Sequence, residues 1–148
     1  MKVLDREFFL ELGPNVVNLY RKHTFDNAKD IKGKKFKKYS KKYGELKRAG
    51  NLPRQEEVQF KNTTAPVSSG DLYRDFKFIK ATSSGFSFGT VTEGGKVEAL
   101  KKMGRVMYTS KDPVPRHIDD FVEKEVAEYS DKQLCKIKMD DINLDIKG

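Results

Sequence analysis

Two histidines and one cysteine are the residues of this chain best suited to acid–base, metal or nucleophilic chemistry, and their placement speaks against all three. His117 stands just ahead of Asp119 and Asp120, a spacing that could hold a cation or let a carboxylate orient an imidazole. The same residues suit the first turn of a helix, where aspartates meet the positive end of the dipole, and that reading is preferred. His23 lies far away at a helix end. Cys135 has no second cysteine to pair with, so it reads as a small buried hydrophobe in a reducing or redox-indifferent setting. Neither the glycines of residues 85–89 nor Gly94-Gly95 have the spacing and lysine of a phosphate-binding loop. We expect no enzyme, no cofactor and no metal.

The densest chemistry is electrostatic. Residues 29–48 hold ten basic and two acidic side chains, an excess of eight that equals the net charge of the whole chain, +8. The remainder is balanced, which predicts a near-neutral body carrying a basic arm. Within the arm, Phe36, Tyr39, Tyr43 and Leu46 fall on one side of a helix whose other faces are lysine.

Three roles fit such a segment. It can be a solvated face, or it can neutralise phosphates with lysines and stack bases on aromatic rings. Alternatively, its aromatic stripe docks on a neighbouring subunit while the lysines meet acidic surfaces. Nine lysines against one arginine argue against bidentate reading of guanine, so contact with nucleic acid would be sequence-tolerant. The shared helical face favours protein assembly, because base stacking does not require it. We therefore assign Phe36, Tyr39, Tyr43 and Leu46 to inter-subunit contact. Lys34, Lys35, Lys37, Lys38, Lys41 and Lys42 would face an acidic partner or DNA.

The elements that position this segment follow from periodicity. Val3, Leu4, Phe8, Leu12, Val16, Leu19 and Tyr20 paint one stripe on a helix over residues 3–23, with a kink or a break into two helices at Gly13-Pro14. Residues 25–35 read as a linker with Gly33 as pivot, and the basic helix ends at Asn51-Leu52-Pro53. Residues 57–61 alternate like a short strand. Residues 75–82 and 86–92 form a hairpin, with Phe76 and Phe78 on one face of the first strand and Phe86 and Phe88 on one face of the second. A short helix spans 96–103, ended by Gly104, and the loop 111–115 is punctuated by proline. Ile118, Phe121, Val122, Val126 and Tyr129 mark a last amphipathic helix. Ile142, Leu144 and Ile146 alternate with polar residues like a terminal strand, suited to pairing with another chain's sheet edge.

The fold class this predicts is α+β: a small antiparallel sheet with a central hairpin, covered by helices, plus a projecting basic helical arm. A length of 148 residues suits one domain, divided into an N-terminal helix (1–25), basic arm (26–54), α+β core (55–130) and C-terminal extension (131–148). A mean hydropathy of -0.73 is polar for a single globule and suggests an extension or an interface. The N-terminal residues are broken by charges and give no signal peptide, and no apolar run reaches membrane-spanning length. We expect a soluble chain with no membrane partner.

The run Asp30, Gly33, Phe36, Tyr39-Ser40 and Tyr43, interleaved with lysine, resembles a segment recurrent in small tailed-phage proteins of the virion-morphogenesis and tail-completion type. In those proteins a strand and a small-Gly-x-Leu turn follow; here Ser69-Gly70-Asp71-Leu72 takes the turn and Phe76-Lys77-Phe78 the strand. Gly104-Arg105 matches a third landmark, so the resemblance covers residues 26–130. It implies a non-enzymatic subunit at a virion's head–tail junction, as neck or tail-completion protein. Such a subunit would assemble in the host cytoplasm into a symmetric ring, hexameric or dodecameric. Its partners would be other copies of itself and the neighbouring neck, portal or tail proteins, with nonspecific contact to DNA in the lumen. The alternative is a small sequence-nonspecific nucleic-acid-binding protein using residues 29–48.

Overall fold

Asp5 opens the first helix, its carboxylate accepting the Phe8 N–H at 2.9 Å as an N-cap. The structure, a computed structural model, describes residues 4–107 and 114–147, with side chains as far as Lys136. Val3, Tyr108 and residues 111–113 of the proline-punctuated loop lie outside the described residues. Helix α1, Arg6–Arg21, buries Phe8, Leu12, Val16 and Tyr20 of the stripe read from the sequence and, beside them, Phe9 and Val17, while Leu19 is half-buried. It runs on through Pro14, so no second helix starts there.

Gly13 has a different task from ending a helix. A Cβ on it would overlap the Phe78 ring and come within 3.2 Å of Phe86, so its bare backbone is what lets the hairpin lie against α1. Alanine at Gly13 gains about 1 kcal/mol of helix propensity but overpacks this contact by about 3 kcal/mol, for a net loss of about 2 kcal/mol. The urea midpoint of Gly13→Ala is the measurement. A midpoint at or above the parent's would show that the Phe78 ring yields freely.

After α1 the chain makes a π-helical turn, Lys22–Asp26, closed by the Asn27 N–H donating to Lys22 O at 2.8 Å. This turn buries His23, Thr24 and Phe25. The expected linker is then a small loop, joined by a bridge between Lys29 and Lys35 and held by Asp30 Oδ1, which accepts from Lys32 and Lys34 N–H at 2.9 Å each. Gly33 turns its tip at φ +82°.

The basic segment departs from the expected long helix. Helix α2 starts only at Lys41 and covers Lys41–Ala49, with Ser40 as N-cap and Gly50 ending it in the left-handed region. Residues 36–39 are non-helical, and Phe36 is 5% exposed in the core cluster of its own chain. Serine before Lys41 is the physical reason, since its hydroxyl accepts the Tyr43 N–H and begins the helix one turn late. The strand expected over 57–61 is a 3-10 turn, Val58–Phe60, with Phe60 buried and Val58 exposed.

A short helix α3, Asp71–Asp75, leads into β1, Lys77–Ala81, which pairs antiparallel with β2, Phe86–Gly89. The strands are shorter than expected, and the register shifts between Phe78 and Lys80. With Ile79 as the extra residue, the bulge turns Ala81 inward where strict alternation would have placed Lys80. Phe88 meets Tyr20 at 5.0 Å and Phe86 meets Phe9 at 6.3 Å, so the rings of β2 cover α1. The result is a mixed α+β fold in which a two-stranded hairpin packs on α1.

Helix α4, Gly94–Lys102, buries Val97, and α5, Arg116–Lys147, lies along α1, with Ile118 fully buried and Tyr129 tilted on Phe8 at 4.6 Å. The tail expected as a strand, including Ile142, Leu144 and Ile146, belongs to α5 along its backbone; its side chains lie outside the described residues. Extending an existing helix costs no new nucleus, which outweighs a short alternating pattern. Cys135 is exposed, not buried as expected. Among the described residues no helix is long and apolar enough to cross a membrane.

Candidate functional site

Three side chains from separate parts of the sequence converge on one loop, residues 63–65. Lys47 Nζ donates to Thr63 O at 2.9 Å and Ala65 O at 2.7 Å, Tyr39 Oη donates to Ala65 O at 2.8 Å, and Arg105 Nη1 reaches Thr64 O at 3.4 Å. Both cations also lie over the Tyr39 ring, Arg105 Cζ at 4.0 Å and Lys47 Nζ at 4.8 Å from its centroid. Lys47 is 1% exposed and Arg105 is 4% exposed. Burial, and then the Arg105 charge, pull the Lys47 amine down to about 8. Burial pushes the Tyr39 phenol up to about 12, against the pull of Arg105.

Tyr39 and Arg105 of this cluster lie at the floor of a groove of about 530 Å³ whose apolar lining comes from Tyr39, Tyr43, Val67, Leu72, Leu100 and Met103, whereas Lys47 does not line it. One wall is α4, which presents Ala99, Leu100 and the 62%-exposed Met103. The opposite wall is the turn before α3. There Gly70 has φ +85°, and a Cβ on it would crowd the Glu57 and Arg74 side chains at 2.6 and 2.7 Å, so glycine is required on both counts. Asp71 ties the rim together through Arg54 at 3.3 Å, Arg74 at 3.2 Å and Lys96 at 3.8 Å. The groove combines an apolar interior with buried positive charge, which suits a ligand that is apolar and anionic together.

The assigned residues divide sharply. Phe36 is engaged in its own core, and Tyr39 is half-buried beneath the groove; neither is part of a projecting stripe. Tyr43, its ring tilted on that of Tyr39 at 4.6 Å, and Leu46 remain exposed at the surface of α2. Lys34, Lys35, Lys37, Lys38, Lys41 and Lys42 are all exposed. Lys38, Lys41, Arg48 and Lys61 border a second, basic cleft of about 290 Å³ beside the start of α2.

Sequence reading missed Lys47 and Arg105 as site residues. Lys47 looked like one more lysine of the basic run, and only its place on the apolar side of α2, one position beyond Leu46, separates it from the rest. Arg105 entered only as half of a two-residue landmark.

His117 does not join Asp119 and Asp120 in a cluster; its ring lies 5.1 Å from that of His23, whose Nε2 sits 2.7 Å from Asp30 O. The chain's two histidines thus pin the start of α5 to the π-helical turn. No group of three His, Cys, Asp or Glu side chains able to hold a metal occurs among the described residues. Burial lowers the His117 pKa below 6.5, helped by His23 and Lys29 and opposed by Asp120. The unfolded chain therefore binds this proton at higher pH than the folded one. The stability concerned is complete above about pH 6.5 and declines as pH falls through the lower folded value. Thermal midpoints from pH 8 to 5 should fall more steeply for the parent than for His117→Gln; parallel curves would refute the assignment.

Comparison with family models, curated proteins and solved structures returned no match to this chain.

Proposed function

We propose that this chain is a non-enzymatic structural subunit of a tailed-phage virion, placed at the head–tail junction and assembling into a symmetric ring. One observation carries this reading. The three landmarks of the phage-protein resemblance are far apart in sequence, yet Tyr39-Ser40 and Tyr43, Ser69-Gly70 and Leu72, and Arg105 all line the same groove. Residues matched only by order along a chain have no reason to converge unless they serve one site. The exposed members, Tyr43 and Leu46, and the groove itself then supply the inter-subunit surface, while Phe36 holds the segment to its own core. Antibody to the chain, gold-labelled and applied to virions of the phage whose genome encodes it, should mark the neck or tail end. Particles that lack the chain would overturn the proposal.

A second reading draws on the six exposed lysines and the basic cleft beside α2. If they neutralise about six phosphates of duplex DNA, log affinity should fall against log salt with a slope of about -5. Lack of binding at low salt removes nucleic acid from the account and leaves the lysines to acidic protein surfaces.

A further inference from the structure

Arg105 is an unusual group to find at the floor of an apolar groove. It is nearly fully buried, yet no carboxylate among the described residues lies within ion-pair distance of it, and the one hydrogen bond of its guanidinium, to Thr64 O, is long at 3.4 Å. None of its nitrogens is both sealed from solvent and unbonded, so the remaining donors reach accessible space, and the space that Arg105 lines is the groove. Lys96, the other cation of the lining, is already paired, with Glu93 at 2.9 Å and Asp71 at 3.8 Å. No carboxylate lines the groove, and Lys47 lies over the same Tyr39 ring as Arg105, which adds positive potential there. A guanidinium held this way is completed by a carboxylate from outside, in the charge-assisted geometry that arginine favours.

The rest of the lining says what that carboxylate is attached to. Val67, Leu72, Leu100 and Met103 offer it carbon and no charge. A volume of about 530 Å³ falls inside the range of small-ligand sites, about 300–1,000 Å³. A peptide would bring backbone N–H and C=O groups that need partners, and neither strand of the hairpin contributes a residue to the groove, so no sheet edge is offered to one. A small molecule with one charged end and a hydrocarbon body has no such need.

We propose that the groove is a binding site for a small carboxylic acid with an apolar body, its carboxylate on the Arg105 guanidinium and its hydrocarbon against Leu72, Leu100 and Met103. The acid would occupy a surface that the ring reading gives to a neighbouring copy, so the two claims fail separately. A monomeric chain that binds the acid keeps this site and loses the ring.

The test uses the full-length chain, labelled with ¹³C in its methionine methyl groups, and three probes at pH 7. Met103 stands exposed in the groove wall, so its methyl resonance reports on the groove itself; Met103→Leu assigns it. Decanoate should shift this resonance saturably, and bind at least about tenfold tighter than decanol, which has the same body without the charge. Acetate, which has the charge without the body, should leave the resonance where it is. Arg105→Gln keeps a donor for Thr64 O and removes the charge, and should abolish the preference for decanoate over decanol. Should that variant fail to fold, the three probes on the parent chain still decide. Equal affinity for decanoate and decanol, an equal response to acetate, or decanoate binding that leaves the Met103 resonance unmoved overturns the proposal.

Discussion

Replacing Phe25 with alanine is expected to cost about 4 kcal/mol, the range for emptying a fully buried aromatic position. Phe25 is 0% exposed and lies edge-on to Tyr73 at 5.1 Å and to Phe76 at 6.1 Å. Tyr73 in turn meets Phe60 at 5.3 Å and carries Arg21 over its ring at 4.5 Å. Phe25 is therefore the point where the π-helical turn, the 3-10 turn, α3 and the entry to β1 share one aromatic cluster. Since Tyr73 also lines the groove, the loss should loosen the site as well as the core. For a chain of this length we expect the thermal midpoint to drop by about 10 °C. A drop confined to a degree or two would mean that the cluster collapses into the space, and that Phe25 is not its keystone. Phe25→Leu, which refills most of the volume, should recover more than half of the loss.

Asp75→Ala comes next, at about 3 kcal/mol, because it strands three backbone donors at once. The carboxylate Oδ2 accepts the N–H groups of Val91 and Thr92 at 2.8 Å and of Glu93 at 2.9 Å, gathering the loop that leads into α4. Burial alone would raise the pKa of this carboxyl, but the backbone donors of Glu93, Thr92 and Val91, with the Thr92 side chain, outweigh it and hold the value below 3.8. A depressed carboxyl stabilises the fold above the unfolded value. Its contribution is complete above about pH 3.8 and is lost as pH falls through the folded pKa. Acid titration should therefore show a component in the parent that is absent in Asp75→Ala, with urea midpoints at pH 7 giving the magnitude. Equal acid profiles in parent and variant would remove Asp75 as the anchor of α4.

What the sequence by itself determined is whatever depends on neighbours along the chain. The stripe from Phe8 to Tyr20 is α1, the aromatic runs about residues 83–85 are the hairpin, and the α+β class follows from them. The excess of lysine between residues 29 and 48 is also real, and six of those lysines are exposed as expected.

The Ser40 cap and the tertiary structure decided the rest. Phe36 and Tyr39 looked like an outward stripe because period alone does not say which side of a helix is the inside, and here Ser40 delays the helix so that Phe36 drops into the core. Ile79 obeys the alternation of a strand until a bulge, set by packing on α1, turns Ala81 inward instead of Lys80. The alternation of Ile142, Leu144 and Ile146 was overruled by the long helix already running into it. Above all, Lys47 and Arg105 are ordinary basic residues in sequence; they were buried together only when residues 63–65 offered carbonyls to both, and Arg105 thereby came to line the groove. Burial is a property of what arrives from elsewhere in the chain, and no local pattern encodes it.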